Sequence, residues 1–144
     1  MKTLAIVLLA VAALGAVAFG TQYLSASEFT PVHAYIAGKS WQQVEPHMQA
    51  LILGMIKVMG AGYLGGGAAL LCLAYRVAKG DRWPMWGAPL IAGAVWGPTL
   101  YVTLWMREVR PGAETPVAAI VVLLAIVSVA ALSLALHYYR RPVL

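Results

Sequence analysis

The sequence predicts an all-α membrane protein: a four-transmembrane-helix bundle with a short interfacial helix in its first outward loop. Three observations predict it. Of 144 residues, 62% are hydrophobic and 10% charged, with mean hydropathy +0.80, a balance that leaves too little polar surface for a water-soluble domain. Four apolar runs, about residues 4–24, 48–75, 84–106 and 116–138, each reach the roughly 20 residues that a helix needs to cross a hydrocarbon core of about 30 Å. Charged residues gather between these runs, as expected of one transmembrane domain over residues 1–144.

The first run follows Lys2. Its Ala16-Val17-Ala18 triplet resembles a signal-peptide cleavage site, but Tyr23 and Leu24 provide an interfacial end and the run is long enough to span. Residues 25–47 form the longest polar connection. Thr30-Pro31 reads as an N-cap and first helical residue and Gly38 as a terminator, which predicts a short helix over 31–37. Ser40 and Gln43 have capping-box spacing, and Glu45-Pro46 then opens the second span. Val32, Tyr35, Ile36 and Trp41 supply the apolar area that holds this loop at the membrane interface.

The second span carries Lys57 among many glycines. A lysine at the centre of a transmembrane helix costs on the order of 2.5–3.5 kcal/mol on insertion scales, so it is expected to face protein. At 100° per residue, Gly54, Ala61, Leu64, Gly65, Ala68 and Cys72 share the lysine's side, while Ile52, Ile56, Met59, Tyr63 and Leu70 lie opposite. Small residues permit close helix approach, so Gly54, Ala61, Gly65 and Ala68 are expected to pack inside the bundle, with the bulky arc toward lipid. A second small row, Gly62, Gly66 and Ala69, is set to seat another neighbour or a second protomer.

Arg76, Lys79, Asp81 and Arg82 make a short basic connection. Trp83-Pro84-Met85-Trp86 opens the third span, and Pro98 inside it removes a hydrogen bond and frees the Ala94 carbonyl at depth. Residues 107–115 are charge-balanced with a Pro111-Gly112 turn. The fourth span is rich in Val and Ala and ends in an aromatic and basic anchor, residues 137–141. Lys2, the 76–82 loop and Arg140-Arg141 lie on one side of a four-span chain, which the positive-inside rule makes cytoplasmic for both termini.

The net charge of +5 sits at segment ends and forms no basic helix face, so nucleic-acid binding is not expected. The single cysteine, Cys72, excludes an internal disulfide and cysteine-pair redox chemistry. No carboxylate lies within a span, which argues against a proton-coupled exporter. No catalytic triad, phosphate loop or metal motif is visible. His33 with His47, Glu28 and Glu45 amounts to a weak peripheral set, and Met48, Met55 and Met59 read as packing rather than as copper ligands. Lys57 is expected to donate to the Ala94 carbonyl, to Thr99 or Tyr101, or to Glu28 or Glu45. With Trp96 as a flat wall, Lys57, Trp96, Thr99 and Tyr101 form the candidate ligand site, for a quinone or another lipid.

The second-span stretch Lys57-Val58-Met59-Gly60-Ala61-Gly62-Tyr63-Leu64-Gly65-Gly66-Gly67-Ala68 resembles the basic-then-glycine signature of the small four-helix bacterial membrane proteins grouped as DoxX-like. Glu45-Pro46-His47-Met48-Gln49-Ala50-Leu51 and Pro98-Thr99-Leu100-Tyr101 are similar to segments of proteins of that kind. The resemblance implies a four-helix fold in the bacterial inner membrane and an accessory role. The expected function is therefore a non-enzymatic accessory or assembly subunit packing against other integral membrane subunits through its glycine-rich and aromatic faces. The alternatives are a quinone- or lipid-binding module within a redox complex and a small homo-oligomeric transporter.

Overall fold

The computed structural model describes residues 1–139, so the anchor residues Arg140 and Arg141 lie outside the described residues. The chain forms α1 (Lys2–Ser25), α2 (Pro31–Ala37), a 3₁₀ turn (Trp41–Gln43), α3 (Pro46–Lys79), α4 (Pro84–Val109) and α5 (Val117–Tyr139), with no strand among the described residues. α1, α3, α4 and α5 are each long and apolar enough to cross a membrane, so the protein is a multi-pass helical bundle.

The four long helices make a ring in which α1 packs between α3 and α5, and α4 closes the circle between α5 and α3. The α1–α3 pair is the closest, and its sequence explains why. Buried Ala5, Ala12, Ala13, Ala16 and Gly20 give α1 a nearly flat face, and Gly60 and Gly67 do the same for α3. A Cβ on Gly60 would stand 2.9 Å from the Gly20 carbonyl oxygen, and one on Gly67 would stand 3.1 Å from that of Ala13. Backbone meets backbone there, the contact that holds apolar helices together in lipid.

α3 is longer than its neighbours. Its 34 residues extend about 51 Å, against about 36 Å for the 24 residues of α1. The two are level at one end, where the Lys2 ammonium donates to the Ala78 carbonyl at 2.9 Å. This basic end is closed by a left-handed Gly80 (φ 99°), which lets the Asp81 N–H return to the Arg76 carbonyl. Arg76 pairs with Asp81, the Tyr138 hydroxyl donates to the Asp81 carbonyl at 2.7 Å, and Arg82 lies over the Tyr138 ring. All the excess length of α3 therefore projects at the other end, where α2 and the 3₁₀ turn lie against it as a cap. Gln49 ties the cap down by donating to the Trp41 and Val44 carbonyls at 2.8 and 3.0 Å. The Tyr35 hydroxyl donates to the Pro111 carbonyl at 3.0 Å while Arg110 stacks on the Tyr35 ring.

The direction of α3 differs from the sequence expectation. Ile56, Tyr63 and Leu70, assigned to lipid, are buried, whereas Gly54, Ala61, Gly65 and Ala68, assigned to the bundle, are exposed. Gly62 is open as well, and only Gly66 of that set packs internally, against Val95. The physical reason is that Gly60 and Gly67 border the arc of Ile56, Tyr63 and Leu70, at about 60° and 80° from Lys57 by 100° per residue, and α1 packs there because its own small residues mesh with them. α4 runs unbroken through Pro98 and through Pro89, a second internal proline.

Candidate functional site

Lys57 is not buried in the bundle. It lies on the exposed side of α3, and its ammonium donates to the Leu24 carbonyl at 2.9 Å rather than to Ala94, Thr99, Tyr101 or a loop carboxylate. Leu24 is in the last turn of α1, whose terminal carbonyls have no intrahelical partner and carry the negative end of the helix dipole. α1 is by itself about one bilayer long. Lys57 sits level with its end, capping it, and residues 46–56 of α3 extend past Leu24.

The other three candidate residues separate. Tyr101 is 71% exposed on the outside of α4. Trp96 is fully buried, stacked on Tyr63 at 5.1 Å with Phe19 edge-on at 5.8 Å, and its Nε1 has no hydrogen-bond partner. Thr99 alone of the three hydrogen-bonds to another helix, and it does so to the Tyr63 on which Trp96 stacks. Its hydroxyl donates back to the Val95 carbonyl at 3.0 Å, so in the 3.0 Å contact with Tyr63 the phenol is the donor. Phe19, Tyr23, Tyr63 and Trp96 form one aromatic core joining α1, α3 and α4.

Two cavities open above this core, under the cap. The inner, of about 500 Å³, is bounded by Phe19, Tyr23 and Tyr63 on one side and by Thr99, Thr103 and Thr115 on the other. The outer, of about 670 Å³, lies beneath α2 and is lined by Phe29, Ile36, Ile52, Ile56, Met48 and Met55, with Lys39 and Glu45 among its walls. Each has the size and apolar lining of a small-molecule site. Thr103 spends its hydrogen on the Thr99 and Leu100 carbonyls, both at 2.9 Å, while the Thr115 hydroxyl is buried without a partner. His33 of α2 borders both cavities, its Nδ1 2.8 Å from the Thr30 hydroxyl, and burial pushes its pKa below the ordinary value.

These residues were hard to see in sequence. Met48, Met55 and Met59 show their common face by spacing alone, whereas His33, Met106 and Tyr63 reach the cavities only because α2 folds back over the bundle.

The outer surface of α3 has its own order. Met48, Leu51, Met55, Val58, Gly62, Gly65, Ala69 and Cys72 alternate steps of three and four residues, and all are exposed except the half-buried Ala69. Leu51, Met55 and Val58 border a shallow groove with Ala50 and Gly54, and Gly54, Gly62 and Gly65 have nothing within 4 Å of where a Cβ would stand. This seam is charge-free; Met48 and Met55 at its upper end also border the outer cavity beneath α2, while Gly62 and Gly65 face open space.

No family model matches the chain, and neither a curated protein nor a solved structure matches it.

Proposed function

We propose that the protein is a non-enzymatic accessory or assembly subunit that packs against a larger complex in the bacterial inner membrane, with both termini cytoplasmic. The observation that carries this reading is the exposed, charge-free heptad seam of α3, from Met48 to Cys72, whose Gly62 and Gly65 face open space. A seam of that period accepts a second helix at a small crossing angle. Its glycines allow near backbone contact, and its larger residues fill the groove toward the cap. The charge pattern supports the orientation, since Lys2, Arg76, Lys79 and Arg82 gather at one end. The resemblance to DoxX-like proteins points the same way.

The test is purification from the native membrane in mild detergent, with identification of co-migrating proteins by mass spectrometry, for the wild type and a Gly62→Leu, Gly65→Leu variant. A stoichiometric membrane subunit that is retained by the wild type and lost by the variant supports the proposal. Migration of both as the same monomer, or as the same homo-oligomer, refutes it.

A second reading, a quinone- or lipid-binding module, is favoured by the inner cavity beside Tyr63 and Thr99. It requires a specific lipid to co-purify and to be lost on Tyr63→Phe with Thr99→Val; a lipid content identical in both proteins rejects it.

A further inference from the structure

The charge of the protein is unevenly placed. At the cap end Lys39, Lys57, Arg107 and Arg110 are matched by Glu28, Glu45, Glu108 and Glu114, so that end is neutral. At the opposite end Lys2, Arg76, Lys79 and Arg82 share one acid, Asp81, among the described residues. Asp81 is already taken, because Arg76 pairs with its carboxylate. Lys2 turns to the Ala78 carbonyl. Lys79 and Arg82 remain: among the described residues neither side chain has a carboxylate or a hydrogen-bond acceptor, and both are exposed.

Both cations are nevertheless held in place. The Lys79 ammonium lies 5.3 Å from the centre of the Tyr75 ring, and the Arg82 guanidinium lies 5.5 Å from that of Tyr138. The Tyr138 ring is itself fixed, since its hydroxyl donates to the Asp81 carbonyl at 2.7 Å. A ring contact steadies a cation and leaves its N–H donors unspent. The two residues stand on either side of the left-handed Gly80, and a chain of three residues keeps their Cα atoms within about 11 Å, so side chains of this length reach a single headgroup. A Cβ on Gly80 would meet nothing within 4 Å, so the turn between them is uncovered. Two steadied cations with free donors and no anion beside them suit a phosphate.

The adjoining surface selects the kind of phosphate. Tyr75, Trp83 and Trp86 are exposed beside the two cations, and Leu71 and Leu90, one helical turn further from the loop, are exposed as well. Cations, then amphipathic rings, then aliphatic surface follow the order of a lipid from headgroup to acyl chain. A small soluble anion gains nothing from the apolar part.

We propose that the α3–α4 turn binds an anionic phospholipid, its phosphate held by Lys79 and Arg82 across Gly80 and its acyl chains lying along Leu71 and Leu90. This site is separate from both cavities and does not depend on the packing role of α3.

The experiment uses the full chain, stripped of lipid in detergent. It is offered dioleoyl phosphatidylglycerol or dioleoyl phosphatidylcholine, which share their chains and differ in net charge, and retained lipid is counted by native mass spectrometry. A cation near a lipid headgroup is worth about fivefold in affinity, so phosphatidylglycerol is expected to be retained at least about tenfold more tightly. Lys79→Gln with Arg82→Gln is expected to reduce that preference to about twofold or less. Lys39→Gln with Arg107→Gln, the same loss of charge at the cap end, is expected to leave it within about twofold of the parent. All four side chains are exposed, so circular dichroism of both variants is expected to match the parent. Glycerophosphoglycerol, the headgroup without chains, is not expected to displace the lipid. The proposal fails if the two lipids are retained alike, or if the two double variants lose the preference equally, since the charge would then act from anywhere on the molecule. It fails also if the chainless headgroup displaces the lipid, which would make the turn a site for any phosphate.

Discussion

Alanine substitutions along α3 distinguish its two sides by the sign of their effect. Gly→Ala in a helix interior contributes roughly 0.5–1 kcal/mol through reduced backbone freedom when the new methyl has room. At Gly62 and Gly65 it has room, with nothing within 4 Å, so each substitution is expected to stabilise the isolated protein by up to about 1 kcal/mol. At Gly60 the methyl would stand 2.9 Å from the Gly20 oxygen and 2.9 Å from the Leu24 nitrogen. Both are backbone atoms of α1 that move only if the whole helix moves. Overpacking of that kind costs about 1–3 kcal/mol and outweighs the entropic gain. The net is a loss of about 1–2 kcal/mol for Gly60→Ala, with Gly67→Ala similar or slightly milder because its contacts are 3.0–3.1 Å. Equilibrium unfolding of dilute protein in detergent micelles, followed by circular dichroism, reads the difference. If Gly62→Ala destabilises as much as Gly60→Ala, the assignment of buried and free faces on α3 is wrong.

Three further outcomes follow from single polar contacts. Lys57→Met removes the bond to the Leu24 carbonyl and the charge at the end of α1, and is expected to cost about 1 kcal/mol in the same unfolding assay; a cost several times larger would mean that the lysine is buried after all. Tyr63→Phe deletes the donor to Thr99 but keeps the ring stack with Trp96, so a loss of about 1 kcal/mol is expected, with Trp96 remaining shielded from aqueous quenchers. Quenching of Trp96 in that variant would show that the hydroxyl, not the stack, holds the core. Thr115→Val removes a buried hydroxyl that has no partner and is expected to raise stability by about 1 kcal/mol or more; a clear drop would reveal an acceptor for that hydroxyl.

Much of the architecture was legible in the chain because it depends on local rules. Pro31 and Gly38 bound α2, and four apolar runs of bilayer length become four helices, since each signal acts within a turn of the residue that carries it, although α3 runs on to Lys79, past the expected end near residue 75. The cavities were not legible, because they form between the bundle and the loop with α2 that folds back over it, and no periodicity encodes that fold-back.

α3 shows where the division falls. Its sequence contains two stripes of heptad period. One is Ile56, Gly60, Tyr63, Gly67, Leu70, Ala74 and Val77; the other is Met48, Leu51, Met55, Val58, Gly62, Gly65, Ala69 and Cys72. They lie about 150° apart, and each mixes small and large apolar residues, so in a lipid environment neither is marked as interior by hydrophobicity. The sequence by itself determined that α3 is a long membrane helix with two packing faces and a lysine near one end. Only the tertiary structure decided which face turns inward, because that choice rests on the fit of Gly60 and Gly67 against the small residues of α1, from Ala13 to Gly20. The same fit placed Lys57 beside the terminal carbonyls of α1, where a cation is stabilised by the helix dipole instead of being stranded in lipid.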